Sequence, residues 1–148
     1  MGIYFVDEYE RQLDERGRII LPSKVREKMS STVYVTQSPV DKCLQIYTEE
    51  ELGLISERLR ELPGTSDRSV RDFVRNFFRM AASCDVDKQG RIVLAERHIA
   101  YAGLKKNVVL VGANTKMEIW DKDTWDEYNA GISQSVIAEG ISKYNLAL

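Results

Sequence analysis

One stretch of this chain occurs twice. Leu13-Asp14-Glu15-Arg16-Gly17-Arg18-Ile19-Ile20-Leu21 aligns with Val86-Asp87-Lys88-Gln89-Gly90-Arg91-Ile92-Val93-Leu94 at an offset of 73 positions, identical at the Asp, Gly, Arg, first Ile and final Leu. The same offset joins Leu44-Gln45-Ile46-Tyr47 to Met117-Glu118-Ile119-Trp120, and Val33-Tyr34-Val35-Thr36 matches Val108-Val109-Leu110-Val111 at 75. Two copies of a unit of about 45 residues are the simplest account, and such self-similarity constrains the fold before any local pattern does. A unit of that size buries too little surface to stand alone without a disulfide or metal staple, so the copies must pack on each other. The expectation is a β-rich α+β fold with a pseudo-symmetric core, an arrangement otherwise built from two identical subunits.

Each copy has the same order of elements. A strand ends at Leu13 or Val86 and runs into Asp-x-x-Gly-Arg, where the glycine supplies a positive φ and the aspartate can accept hydrogen bonds from the turn backbone. That reads as a tight β-hairpin with the arginine at its turn. A β-branched, apolar strand follows, Arg18 to Leu21 and Arg91 to Leu94. Pro22 then opens a short helix to Met29, and in the second copy a helix from Glu96 to Ala102 stops at Gly103. Two more strands close the unit, Val33–Thr36 with Leu44–Tyr47, and Val108–Gly112 with Met117–Trp120. This divides the chain into a first unit over 8–50, a helical linker over 51–80, a second unit over 81–124 and a helical tail over 125–148.

In the linker, Thr48 and Glu51 have capping-box spacing and predict a helix to about Arg60, which Leu62-Pro63-Gly64 interrupts. A second helix, Asp67 to Met80, places Val70, Phe73, Val74, Phe77, Phe78 and Ala81 on one face and Arg68, Arg71, Arg75 and Arg79 on the other. That arginine stripe is read first as a solvated face pairing with acids of a neighbouring helix or subunit, ahead of a phosphate contact. The tail begins acidic (Asp121, Asp123, Asp126, Glu127) and continues weakly amphipathic through Val136, Ile137 and Ile141.

Several function classes fall away. The 148 residues carry 21 Lys+Arg and 23 Asp+Glu, a net charge of -2, which excludes a uniformly basic nucleic-acid binder but not a local basic face. No apolar stretch approaches the roughly 20 residues that cross a bilayer, and the N-terminus lacks the basic region of a signal peptide, so a cytoplasmic protein is expected. Cys43 and Cys84 are read as reduced, buried small hydrophobes. With one histidine, His98, read as a helix residue without special role, a multi-histidine metal site is excluded. No nucleophile setting is present, and neither a metal, a cofactor nor a small-molecule substrate is expected; the chain does not read as an enzyme. Trp120 and Trp125 are read as core or subunit-contact aromatics rather than base-stacking platforms.

Asp-x-x-Gly-Arg-Ile-x-Leu-Pro with a short basic helix resembles the SpoVT/AbrB-type swapped-hairpin DNA-binding unit. Two such units, joined by a helical linker with Arg-x-Phe-Val-Arg-x-Phe-Phe (Arg71 to Phe78), are similar to the MraZ family, and the likeness covers nearly the whole chain. It implies a sequence-specific transcriptional regulator, assembled as a ring-like homo-oligomer, nucleoid-associated, that binds short promoter repeats upstream of its own division and cell-wall gene cluster. The family's Asp-x-x-x-Arg pattern falls on Asp14 and Arg18 and on Asp87 and Arg91. The copies differ: Ala95 stands at the position of Pro22 and Ile99 at that of Arg26, while Arg97 matches Lys24. The second helix therefore lacks a basic residue, which predicts unequal DNA contact by the halves.

The residues themselves point the same way. Arg11 to Lys28 holds six basic against three acidic residues, and Val86 to Lys106 five against two, a local charge of +3 each. Arginine at a β-ribbon has the reach and donor geometry to read guanine in a major groove, and helix cations beside it would contact phosphate. The expected double-stranded DNA contacts are Arg16, Arg18, Lys24, Arg26, Lys88, Arg91 and Arg97, with Asp14, Gly17, Asp87 and Gly90 shaping the turns. Asp14 holding Arg18, and Asp87 holding Arg91, is the structural reading of the same residues and is compatible with DNA contact. A charge of +3 is too little for tight binding at physiological salt, so several modules on one multimer would be needed. The alternative is an antitoxin-like interaction module, which uses the same hairpin type to dimerise while the tail and arginine-striped helix hold a protein partner.

Overall fold

The strands of the two copies interlock rather than folding side by side. A computed structural model describes residues 2–148. In chain order it contains β1 (Glu8–Gln12), β2 (Arg18–Ile20), α1 (Ser23–Arg26), β3 (Thr32–Gln37), β4 (Leu44–Thr48), α2 (Glu49–Arg60) and α3 (Arg68–Met80). The second copy follows with β5 (Ala82–Asp85), β6 (Arg91–Val93), α4 (Glu96–Ala102), β7 (Asn107–Gly112) and β8 (Met117–Asp121), then α5 (Lys122–Ala130) and α6 (Gln134–Lys143). Six strands form one antiparallel sheet in the order β1-β7-β8-β4-β3-β5, and β2 and β6 form a separate antiparallel ribbon.

The register exposes a pseudo-twofold relation that the 73-residue offset predicts. In the β4–β8 pair, Gln45 faces its own equivalent Glu118, flanked by Leu44 opposite Ile119 and Ile46 opposite Met117. In the ribbon, Ile19 faces its equivalent Ile92. The outer strands are exchanged: β1 of the first copy pairs with β7 of the second, and β5 of the second with β3 of the first. The hydrogen bonds beyond the strands come in matched pairs, Leu13 N to Lys106 O with Val86 N to Ser31 O, and Leu21 N to Gly90 O with Leu94 N to Gly17 O, all 2.8 Å.

This is the swapped-hairpin arrangement that the family likeness implies: each Asp-x-x-Gly-Arg is a tight turn, but not that of a hairpin closed within its own copy. The strands on its two sides diverge, β1 and β5 to the large sheet and β2 and β6 to the ribbon, because each finds its partner in the other copy. One buried cluster joins ribbon and sheet, with Ile19, Leu21, Ile92 and Leu94 from around the ribbon against Val33, Val35, Leu44, Ile46, Val108, Leu110, Met117 and Ile119. Neither copy contains this core alone, and the exchange makes each copy's burial depend on the other.

The helices sit around this core. Thr48 caps α2 by accepting from Glu51 N at 3.1 Å, as its sequence spacing predicts, and Asp67 caps α3 through Ser69 N at 2.9 Å. Helix α1 is shorter than expected, ending at Arg26 instead of Met29, while α4 ends on Gly103 at φ 60° as read. The tail contains two helices, capped by Asp121 and Ser133. Trp120 is buried, and its ring lies 5.2 Å from that of Trp125 and 5.0 Å from that of Tyr128. Trp125 Nε1 also donates to Glu8 at 3.0 Å, tying the tail to β1.

His98 departs from its sequence reading. It is fully buried, and its Nε2 lies 2.6 Å from Met80 O at the end of α3. A carbonyl only accepts, so Nε2 carries the proton, and Nδ1 has no partner among the described residues. Burial, with the charge of Arg97, pulls its pKa below the ordinary value against the opposing hydrogen bond to Met80. Cys43 and Cys84 are free thiols; Cys43 is buried, which pushes its pKa up to about 12, and Cys84 is only partly covered.

Candidate nucleic-acid interface

The ribbon alternates with a strand period of two. Ile19 and Ile92 point into the core, so Arg18, Ile20, Arg91 and Val93 lie on the opposite, outward face. Across the strands Arg18 stands opposite Val93 and Arg91 opposite Ile20. Ile20 is 48% exposed and Val93 58%. The two arginines, 73 positions apart in sequence, are thereby brought onto one surface. Sequence reasoning read Ile20 and Val93 only as members of an apolar strand and did not place them on this face; the signal was their position two residues after each arginine.

At each end of the ribbon the turn holds its arginine by the same contacts. Gly17 and Gly90 adopt φ 75° and 81°, a region glycine enters without a Cβ penalty. Asp14 Oδ1 accepts from Arg16 N at 2.9 Å and Arg18 N at 2.8 Å, while its Oδ2 pairs with Arg18 Nε at 2.6 Å. Asp87 repeats this with Gln89 N at 2.9 Å, Arg91 N at 2.8 Å and Arg91 Nε at 2.8 Å. The Arg18 N–H, with the guanidinium and Arg16 N–H, outweighs partial desolvation and lowers the Asp14 pKa; Arg91 and Gln89 do the same for Asp87. Both carboxylates are therefore charged at neutral pH.

This geometry leaves a usable group free. Each aspartate engages only Nε of its arginine, and the Nη groups of Arg18 and Arg91 make no hydrogen bond to any described residue. Each arginine side chain is 27% exposed. A guanidinium fixed at Nε and open at its two Nη groups is pre-oriented to donate two parallel hydrogen bonds.

The other expected contact residues are distributed more widely. Arg16 and Lys88 are exposed at the turns, and Lys24 and Arg97 are exposed on α1 and α4. Arg26 is half-buried, and its Nε donates to Leu21 O at 3.1 Å. Some cations in the local counts of +3 are engaged elsewhere. Lys105 pairs with Asp121 and Asp123 at 3.2 and 3.1 Å. Lys28 donates to Tyr4 O at 2.9 Å, and Arg11 bonds Glu10 O at 2.9 Å while lying over the Tyr9 ring.

The arginine stripe of α3 is solvent-exposed, as expected, but its partners within this chain are not those expected. It pairs within its own helix and the preceding loop, not with a neighbouring element: Arg68 and Arg75 with Asp72, Arg79 with Asn76, and Arg71 with the carbonyls of Gly64 and Thr65. On its apolar face Phe77 is buried, but Phe73 and Phe78 remain 43% and 37% exposed.

A family model described as "MraZ protein, putative antitoxin-like" matches residues 4–75 and again 77–140. The chain belongs to the MraZ family. The two matches meet inside α3, and together they take in the ribbon and all eight strands. The chain is similar to proteins named transcriptional regulator MraZ from several bacteria. That of Acetivibrio thermocellus is 42% identical over 94% of this chain and 94% of the relative. That of Clostridium tetani is 39% identical over 96% and 99%, and that of Desulforamulus reducens 41% identical over 93% and 96%. Among the described residues no three His, Cys, Asp or Glu side chains gather where they could hold a metal ion, and no helix is long and apolar enough to cross a membrane.

Proposed function

We propose that this chain is a sequence-specific, double-stranded-DNA-binding transcriptional regulator that inserts the outward face of its β2–β6 ribbon into a major groove. The observation that carries this is the pair of guanidiniums, Arg18 and Arg91, each locked at Nε by an aspartate and open at Nη, on one face of an antiparallel ribbon. A two-stranded ribbon fits a major groove, where arginine donates bidentately to guanine O6 and N7 and exposed Ile20 and Val93 can meet thymine methyl groups. Arg16, Lys24, Arg26, Lys88 and Arg97 would serve the backbone phosphates. The relatives' name, transcriptional regulator, supports this reading.

The target is promoter repeats of the chain's own division and cell-wall gene cluster, bound by a ring-like homo-oligomer in the cytoplasm at the nucleoid. With several cations engaged in intramolecular pairs, one ribbon has few charges to spare for phosphate, and joining ribbons on one multimer would multiply weak contacts into avidity. The partly uncovered Phe73 and Phe78 on α3 offer an apolar surface for a second copy. In this scheme residues 8–50 and 81–124 are the two DNA-binding units, 51–80 the linker and 125–148 the tail.

Fluorescence anisotropy of a promoter duplex titrated at several salt concentrations tests the reading. Arg18→Ala or Arg91→Ala should weaken binding and lower the salt slope. Unchanged affinity in both variants refutes the site. An antitoxin-like partner module is the second reading, favoured by the family description and by exposed Val136, Ile137 and Leu146 near the end of the tail. It requires a stable hetero-complex and no retarded promoter DNA.

A further inference from the structure

The strand exchange carries each post-ribbon helix across to the other copy's turn, and there the two copies are chemically unequal. Gly17 faces Ile99 of α4: a Cβ built on Gly17 would lie 3.4 Å from Ile99 Cδ1. Gly90 faces Arg26 of α1: a Cβ there would lie 2.6 Å from its guanidinium carbon, Nε and Nη1. Arg26 and Ile99 are equivalent positions of the repeat, so one copy sends a cation across the interface and the other sends a branched apolar side chain.

The turns themselves add to the difference. Asp14-Glu15-Arg16-Gly17-Arg18 is charge-balanced, whereas Asp87-Lys88-Gln89-Gly90-Arg91 carries one net positive charge. Arg26, lying on Gly90, raises that end to two. The sequence alone assigns Arg26 to the first copy and so makes the second copy's unit the poorer in cations; the exchange reverses that assignment. Arg26 is held in place by its Nε bond to Leu21 O at 3.1 Å, and Leu21 N in turn donates to Gly90 O at 2.8 Å. Its Nη groups make no hydrogen bond to a described residue.

We propose that Arg26 completes the second copy's turn and engages DNA as one unit with Arg91, while Arg18 at the first turn reads DNA without a cross-copy guanidinium. This rests on the DNA-binding reading above and specifies which side chains act together. Two guanidiniums on one turn, offset by the single carboxylate of Asp87, form a site for a phosphate beside a base edge. Ile99 offers the first turn no such donor.

The test is a double-mutant cycle read by anisotropy on duplex DNA taken from immediately upstream of the chain's coding sequence. Arg26→Ala should weaken binding about tenfold and reduce the salt slope by about one. Combined with Arg91→Ala, the loss should be clearly smaller than the product of the single losses; combined with Arg18→Ala, it should equal that product. Ile99→Arg, which builds the missing guanidinium beside Gly17, should tighten binding and steepen the salt slope, and it does not depend on the Arg26 variants folding well. Arg26→Lys should keep most of the salt slope while losing affinity, since it keeps the charge without the fork. Coupling of Arg26 to Arg18 in place of Arg91, or wild-type affinity in Arg26→Ala with a loss in Arg91→Ala, overturns the inference and leaves the DNA reading standing. Absence of salt-dependent binding in the unaltered chain overturns both.

Discussion

Ile19→Ala and Ile92→Ala are the most direct perturbation of the joint between the ribbon and the core. Both side chains are fully buried and stand directly opposite each other in the β2–β6 register. Isoleucine to alanine deletes three carbons, about 2.4 kcal/mol at roughly 0.8 kcal/mol per buried methylene. The residual cavity adds to this, bringing the expected loss to about 2–5 kcal/mol for each variant. Because the two side chains line the same space, the double variant should lose less than the sum of the singles by about 0.5 kcal/mol or more. Urea denaturation followed by the fluorescence of Trp120 and Trp125, at fixed protein concentration, measures all three. Val40→Ala at an exposed loop position is the control and should change stability by less than about 0.5 kcal/mol. Losses below about 1 kcal/mol at both isoleucines, or strict additivity between them, would refute the claim that one core runs through both copies at the ribbon.

Gly112→Ala should destabilise by about 1–3 kcal/mol, because the added Cβ runs into the Val6 backbone beside the Gly112 N to Asp7 O bond. Gly140→Ala, on helix α6 with nothing within 4 Å of the new atom, should raise the melting temperature slightly. Burial lowers the His98 pKa, so its contribution to stability is complete above about pH 6.5 and declines as pH falls from there through the folded-state value. Since it is the one histidine, His98→Gln should flatten the stability profile between about pH 6.5 and the onset of carboxylate titration; an unchanged slope in chemical denaturation contradicts this. For Asp121, burial alone would raise the pKa, but the backbone N–H and ammonium of Lys105 outweigh it and hold the carboxylate charged. Asp121→Ala removes that partner and the α5 cap together and should cost about 1–3 kcal/mol in the same assay.

The strands, both glycine turns, the Thr48 cap and the α4 stop at Gly103 were legible because each is written in a few adjacent residues. Pairing was not. Four residues from Asp14 to Gly17 suit a hairpin locally, and only the burial of Ile19 against Ile92 and of the sheet residues decides that the strands diverge to the other copy. The aspartate–arginine pair of each turn was readable from its spacing of four. Arg26 at Gly90 was not, since repeat alignment assigns a residue to a copy but not to the neighbour it touches. The buried role of His98 was equally hidden, because its partner is a backbone carbonyl 18 positions earlier, which leaves no trace in side-chain pattern.

A structure of the chain bound to promoter duplex tests the central claim most directly. The expected complex has the β2–β6 ribbon in a major groove, with Nη atoms of Arg18 and Arg91 at hydrogen-bond distance, about 2.7–3.2 Å, from base-edge acceptors, and Asp14 and Asp87 still bound to Nε. DNA lying against another face, with the ribbon left in solvent, would contradict it.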